Sequence, residues 1–169
     1  MTVSTQQQKS KKNTSPHTLI TPQRTKNEGK DIPKQLTIFS DGGARGNPGP
    51  AAIGFLILSE TGQVLTAKSR YLGSRTNNQA EYEAIIAALE SAVALHADEV
   101  TCHLDSQLVV KQVTGEYRVK NAELRKLWRK VQELTRSFKK SSFISVPRTN
   151  SQIQKADSLV NKALDAQLC

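Results

Sequence analysis

The sequence predicts an α/β domain: a five-stranded mixed sheet, three antiparallel strands and then parallel additions, with helices on both faces. Three observations predict it. Strand-period and helix-period segments follow one another as β-β-β-α-β-α-α-β-α. The first strand is largely apolar on both sides, the mark of a central strand. Each long helical segment carries an apolar stripe with which to cover the sheet.

Taken in order, Leu36-Thr37-Ile38-Phe39-Ser40 is that central strand, and Asp41 to Pro50 is a Gly/Pro turn cluster. Strands over 51–58 and 63–72 follow, joined around Glu60-Thr61-Gly62-Gln63 as a hairpin. Thr76 or Asn77 caps a helix reaching about Leu95. Val100 to Asp105 is a short strand, and a helix from Ser106 to Val113 is ended by Gly115. The next helix, Asn121 to Phe138, turns Leu124, Leu127, Trp128, Val131, Leu134 and Phe138 inward, so Trp128 reads as core rather than as a stacking platform. Phe143 to Val146 is the last strand and Ile153 to Leu168 the last helix. Residues 1–33 have no apolar periodicity, three prolines and no aromatics, which predicts a disordered basic tail ahead of a folded domain over 34–169.

With 169 residues, 37% hydrophobic and 23% charged, one compact domain plus an extension is expected, and wholesale disorder is excluded. The longest apolar stretch, Ala51 to Leu58, contains Gly54 and is far short of the roughly 20 residues a bilayer helix needs, so no membrane partner is expected. Cys102 and Cys169 make neither a disulfide framework nor a metal-ligand spacing, which suits a reducing, cytoplasmic setting. The hydroxyl-rich opening, without an acidic residue before Glu28, faintly resembles an organelle transit peptide but lacks an amphipathic Arg-rich helix.

The formal charge is +9, with a pI near 9.7. Residues 111–140 hold ten basic and three acidic side chains, residues 1–33 six and two, and the remainder is slightly acidic. A basic segment beside an acidic body suits a phosphate-tracking surface next to a metal-holding cleft; a solvated Lys/Arg helix face fits the charge count equally well.

Four carboxylates break the apolar pattern. On the helix after Asn77 the stripe Glu81, Ala84, Ile85, Ala88, Leu89, Ala92 places Glu81 on the face that packs on the sheet. On the last helix, Ile153, Asp157, Val160 and Leu164 form the expected inward stripe, with Asp157 as the charged intruder. Asp41 and Asp105 each terminate an apolar strand. Singly, Asp41 reads as a turn opener, Asp105 as a helix cap, and Glu81 and Asp157 as residues at the exposed margin of their stripes. Jointly, four inward acids with no base in those stripes call for divalent cations, because an isolated buried charge is very costly. Two-metal phosphoryl chemistry uses such an all-oxygen shell.

These residues resemble type 1 ribonuclease H. The matching stretches are Ser40-Asp41-Gly42-Gly43 with Gly46 to Pro50, Thr76 to Ala84, Asp105 to Val110, and Ala156 to Asn161, four motifs in the family's order over about 35–168. The resemblance implies cleavage of the RNA strand of RNA/DNA hybrids to 5′-phosphate and 3′-hydroxyl ends by one chain acting as a monomer. It implies two magnesium ions, manganese fitting as well. Asp41 would bridge both ions, Glu81 and Asp105 would hold the one at the leaving 3′-oxygen, and Asp157 the one at the attacking water. By the same resemblance Gly43, Asn47, Asn78, Ser106 and Gln107 line the hybrid's minor groove, where the 2′-hydroxyl marks RNA, while Thr76, Asn77 and Asn121 approach backbone atoms.

Two departures stand out. The long basic protrusion of some members is missing, since only Gly115 to Lys120 separates the two helices; Arg118 to Lys130 or the tail compensates in part. The loop before Asp157, Pro147 to Ser151, lacks the mobile His of many members, and Arg148 is expected in its place. The three histidines (17, 96 and 103) lie elsewhere, so no catalytic His is expected. The competing expectations are another nuclease or strand-transfer role of the same fold, and a non-catalytic module binding hybrids or double-stranded RNA.

Overall fold

The structure, a computed structural model, describes residues 34–168; the reading of residues 1–33 as a disordered tail lies outside them, as does Cys169. The elements are β1 (Gln35–Ala44), β2 (Gly49–Ser59), β3 (Val64–Arg75), α1 (Asn77–Ala94), β4 (Glu99–Leu104), α2 (Gln107–Val113), α3 (Ala122–Thr135), β5 (Lys140–Ser145) and α4 (Ser151–Asp165). The strands form one sheet in the order β3-β2-β1-β4-β5. Strands β1, β2 and β3 are antiparallel neighbours, and β4 and β5 add in parallel to β1. This is the expected mixed sheet, with β1 central.

The sheet's two faces carry separate cores. Leu36 and Ile38 of β1 with Ile53, Phe55 and Ile57 of β2 meet α1, α2 and α3 on one side. Phe39, Leu56 and Leu58 point the other way and meet Ile153 of α4, while Ala52 packs on Val160 and Leu164. Period-2 alternation on a strand covered from both sides explains why β1 and β2 read as continuous apolar runs.

The starts of α1, α2 and α3 follow the sequence closely, whereas α4 begins at Ser151, two residues before the expected Ile153, because Asn150 caps it. Thr76 closes a capping box with Gln79, and Ser106, Asn121 and Asn150 accept from backbone N–H groups at the starts of α2, α3 and α4. Trp128 packs against the core as expected and donates its Nε1–H to the Gln112 carbonyl at 3.0 Å.

One boundary differs in a way that matters. The central strand does not stop at Ser40 but runs through Asp41-Gly42-Gly43 to Ala44, paired with Gly54, Ile53, Ala52 and Ala51 of β2. Asp41 is therefore a strand residue, not a turn opener. Glycines that signal a turn in sequence serve here as points of close approach. A Cβ on Gly42 would collide with the Ala80 carbonyl of α1, and one on Gly54 with the Ala156 carbonyl of α4. Both helices thereby press onto the sheet beside Asp41, from opposite faces.

Candidate active site

Ser40 of β1 and Leu104 of β4 are parallel register partners, so the next residues, Asp41 and Asp105, stand side by side near the sheet's carboxyl edge. Strand β4 ends at Leu104, and Ser106 caps α2 immediately after Asp105. Glu81 lies one turn into α1, drawn to the sheet where Gly42 admits the helix backbone. Carboxylate oxygens of Asp41, Glu81 and Asp105 all lie within 4.8 Å of one another. Asp41 and Glu81 are buried, and the Asp105 side chain is only 6% exposed.

Such crowding shows in the acidities. Burial, then the charges of Asp105 and Asp157 and a hydrogen-bonding contact with the Asp157 carboxyl, push Asp41 up to about 7, with the Gly42 N–H pulling the other way. Burial, then Asp41 and Asp105, holds Glu81 well above the usual carboxylate range, partly offset by Arg148 and the Gly42 N–H. Glu81 Oε2 and Asp105 Oδ1 are buried without a hydrogen-bond partner. A cluster of hard oxygens that disfavour one another's ionisation, with two lone-pair sites unclaimed, fits divalent cations.

The fourth acid is placed differently from expectation. Asp157 is solvent-exposed, and the inward stripe of α4 is Ile153, Ala156, Val160 and Leu164. One residue on from Ala156, Asp157 is turned about 100° round the helix, which brings it to the margin beside Asp41 rather than under the sheet. No base lies in the inward stripes, as expected, but one reaches the acids from outside them. Arg148, in the loop before α4, donates Nε–H to Asp105 Oδ2 at 2.9 Å although its own side chain is 83% exposed. The charges of Asp105, and more weakly Asp41 and Glu81, raise its pKa further.

A cavity of about 410 Å³ opens here, with Asp41, Asp105, Asp157, Arg148, Gly43 and Asn77 among the residues lining it. Thr76, Ser106 and Asn121 are engaged as helix caps, and Asn78, Gln107 and Asn47 also lie off the cavity wall. Asn47 and Asn77 lace the β1–β2 turn to α1: Asn77 N–H donates to Asn47 Oδ1 at 3.0 Å, and Ala44 N–H donates to Asn77 Oδ1 at 3.3 Å. Sequence reading missed Arg45 and Asn161, which also line the cavity. The available signal was the spacing of Asn161 four residues after Asp157, one helical turn on the same face.

A family model described as reverse transcriptase-like matches residues 39–163. Ribonuclease H of Polaromonas naphthalenivorans is 30% identical over 155 residues, covering 80% of this chain and 91% of that protein. The chain belongs to the ribonuclease H family. Ribonuclease HI of Halobacterium salinarum is 42% identical over 127 residues, 75% of this chain and 63% of that protein, so the chain spans less than two thirds of that relative's length. The crystal structure of RNase H1 from the same archaeon matches with a TM-score of 0.75 at 40% identity, covering 78% of this chain and 98% of that one. LC11-RNase H1 in complex with an RNA/DNA hybrid matches with a TM-score of 0.73 at 40% identity, covering 79% and 99%.

Within this ribonuclease H fold, the short connection between α2 and α3 shapes a second hollow, of about 860 Å³, lined by Tyr117, Arg118, Lys120, Arg125 and Trp128 among others. Arg125 donates to the carbonyls of Val119 and Lys120, and Lys111 lies 4.9 Å over the Tyr117 ring. Part of the basic segment thus gathers in a groove.

Proposed function

We propose that this chain is a metal-dependent endoribonuclease that hydrolyses the RNA strand of RNA/DNA hybrids, leaving 5′-phosphate and 3′-hydroxyl ends. The observation that carries the reading is the Asp41–Glu81–Asp105 cluster, three carboxylates within 4.8 Å with unclaimed buried oxygens. The all-oxygen donor set suits two magnesium ions, and manganese equally. When bound, divalent cations supply the positive charge that acidifies an attacking water and takes up charge on the departing 3′-oxygen.

The chain's own residues set the geometry. Asp41 sits at the centre; Glu81 and Asp105 would hold a cation on the buried side with it, and Asp157 one on the open side. Water adds at phosphorus as the P–O3′ bond breaks, and the 3′-oxygen leaves protonated. Arg148 holds Asp105 in the resting protein. With 83% of its side chain exposed, the same guanidinium would also be placed to meet a phosphate oxygen of the substrate. The short amides of Asn77 and Asn78 at the start of α1, and of Asn47 in the neighbouring β1–β2 turn, suit ribose hydroxyls, an amide being both donor and acceptor. The groove at Arg118 and Lys120 suits the phosphates of the DNA strand. One chain supplies all four acids and Arg148, so the enzyme works as a monomer. The hybrid carried by LC11-RNase H1 supports this substrate class.

A non-catalytic binding module is the second reading, favoured by one observation: Arg148 already neutralises Asp105 without a metal. Asp41 and Glu81 keep no such partner among the described residues, which favours the enzyme.

The deciding experiment offers an end-labelled RNA strand as RNA/DNA hybrid, as RNA/RNA and as single strand, each with magnesium, with manganese and with chelator. Metal-dependent cutting of the hybrid is expected. Tight hybrid binding without cutting under either metal would give the module reading the place of the enzyme.

A further inference from the structure

Asp157 differs from the other three acids in having no burial to hold it. An exposed carboxylate samples its rotamers freely unless something ties it, and loss of that freedom opposes cation binding. Here Asn161, one turn along α4, donates Nδ2–H to Asp157 Oδ2 at 3.1 Å and to the Asp157 carbonyl at 3.1 Å. An amide can present either its NH₂ or its oxygen to a neighbour, and only the NH₂ suits a carboxylate. Arg45 enforces that choice by donating Nη2–H to Asn161 Oδ1 at 3.4 Å. Arg45 is held in turn by Asp165, Nη2 to Oδ1 at 2.7 Å, and its own backbone N–H is fixed on the Pro50 carbonyl at 2.8 Å.

The spacing makes this a built arrangement. Asp157, Asn161 and Asp165 repeat every four residues along one face of α4. Arg45 reaches them from the β1–β2 turn, more than a hundred residues away in sequence. That turn follows directly on the strand carrying Asp41. The contacts therefore tie the element bearing the central acid to the helix bearing the exposed one.

We infer that Arg45 and Asn161 are positioning residues that orient the Asp157 carboxylate toward Asp41 and so set the affinity of the open side of the site for its divalent cation. The inference rests on the reading of Asp157 as a ligand given above. Outer partners of metal ligands are typically worth ten- to a hundredfold in metal affinity, and a solvent-exposed pair belongs at the lower end.

The test uses the full chain with Asn161→Ala, Arg45→Ala, Arg45→Lys and Asp157→Asn. One readout is the Mg²⁺ concentration giving half-maximal hybrid cleavage. The other, independent of turnover, is Mn²⁺ binding by electron paramagnetic resonance in the presence of a hybrid whose RNA strand carries 2′-O-methyl riboses. Asn161→Ala and Arg45→Ala are each expected to raise the Mg²⁺ requirement about tenfold. Each should also weaken one class of Mn²⁺ site and leave the other unchanged. The double variant should lose no more than about the larger single effect, because both act through one chain of contacts. Arg45→Lys, which keeps the charge on a different stem, should recover part of the loss. Metal-free thermal unfolding should stay within about 2 °C of wild type, since Arg45 and Asp157 are exposed and Asn161 is half-buried at the solvent margin. Wild-type Mn²⁺ binding and Mg²⁺ requirement in both alanine variants, alongside weakened binding in Asp157→Asn, would overturn the positioning role alone. Wild-type Mn²⁺ binding in Asp157→Asn would overturn the ligand reading beneath it, and the positioning role with it.

Discussion

The sheet side of the site and the α4 side both converge on Asp41, yet they are held in place by different forces. Asp41, Glu81 and Asp105 sit where two strands and α1 press together, with little solvent to screen them. Asp157 and Arg148 are exposed and are located by hydrogen bonds with Asn161 and Asp105. Burial gives the first group rigidity and a standing electrostatic cost, visible in the weakened acidity of Asp41 and Glu81, whose pKa values are pushed up. The second group meets solvent, and its place is set by a few hydrogen bonds rather than by packing. A site that must take up cations and a phosphodiester, then release product, has use for one fixed side and one adjustable side.

The sharpest way to break this contrast is to remove the central charge. Asp41→Asn should lower hybrid cleavage at least about a thousandfold, since bound cations stabilise transition-state charge by several kcal/mol. An end-labelled cleavage assay at saturating magnesium checks it; turnover near wild type would mean that Asp41 holds no metal.

The same substitution should stabilise the protein in chelator at pH 8. Asp41 has a folded pKa near 7 against an ordinary value of 3.8. Its contribution to stability is therefore fully present below about pH 4 and lost as the pH rises to 7. A shift of this size corresponds to the order of 4 kcal/mol. Denaturant unfolding in chelator should accordingly show wild-type stability falling over this interval and a flatter profile for Asp41→Asn. Identical profiles would deny that burial and crowding tax this group.

Next come the glycines that admit each helix. Gly42→Ala and Gly54→Ala drive a methyl into the backbones of α1 and α4 respectively. Each should cost about 1–3 kcal/mol by overpacking. The consequences should differ by side: Gly54→Ala displaces the helix carrying Asp157, and Gly42→Ala the helix carrying Glu81. Gly43→Ala, whose Cβ would meet only Val160 Cγ1 at 3.4 Å, is the control that should change stability little. Urea midpoints for the three variants would rank them.

The smallest effect belongs to Arg148. Arg148→Ala should change metal-free stability by less than about 1 kcal/mol, because the guanidinium is largely solvated. It should nonetheless slow hybrid cleavage measurably at limiting substrate. A stability loss of several kcal/mol would make Arg148 part of the fixed side after all.

Local signals in the sequence settle most of the architecture. Thr76, Ser106 and Asn121 are side chains that satisfy orphan helix N–H groups, a requirement of the next few residues alone. Strand alternation in β1 and β2 and the stripe containing Glu81 likewise follow from periods of 2 and 3.6. The acids at 41, 81 and 105 stood out because each interrupts an apolar segment, and all three prove close together. Three features needed the tertiary structure. Asp41-Gly42-Gly43 has the composition of a turn, and only pairing with β2 and the pressure of α1 keep it extended. Asp157 looked inward because helical spacing permits either edge of a stripe, and the rotation of α4 on the sheet decides which edge is wet. The ties of Arg148 to Asp105 and of Arg45 to Asn161 join residues 43 and 116 positions apart. Periodicity records what each residue owes its near neighbours; contacts of that range exist only after the chain has closed on itself.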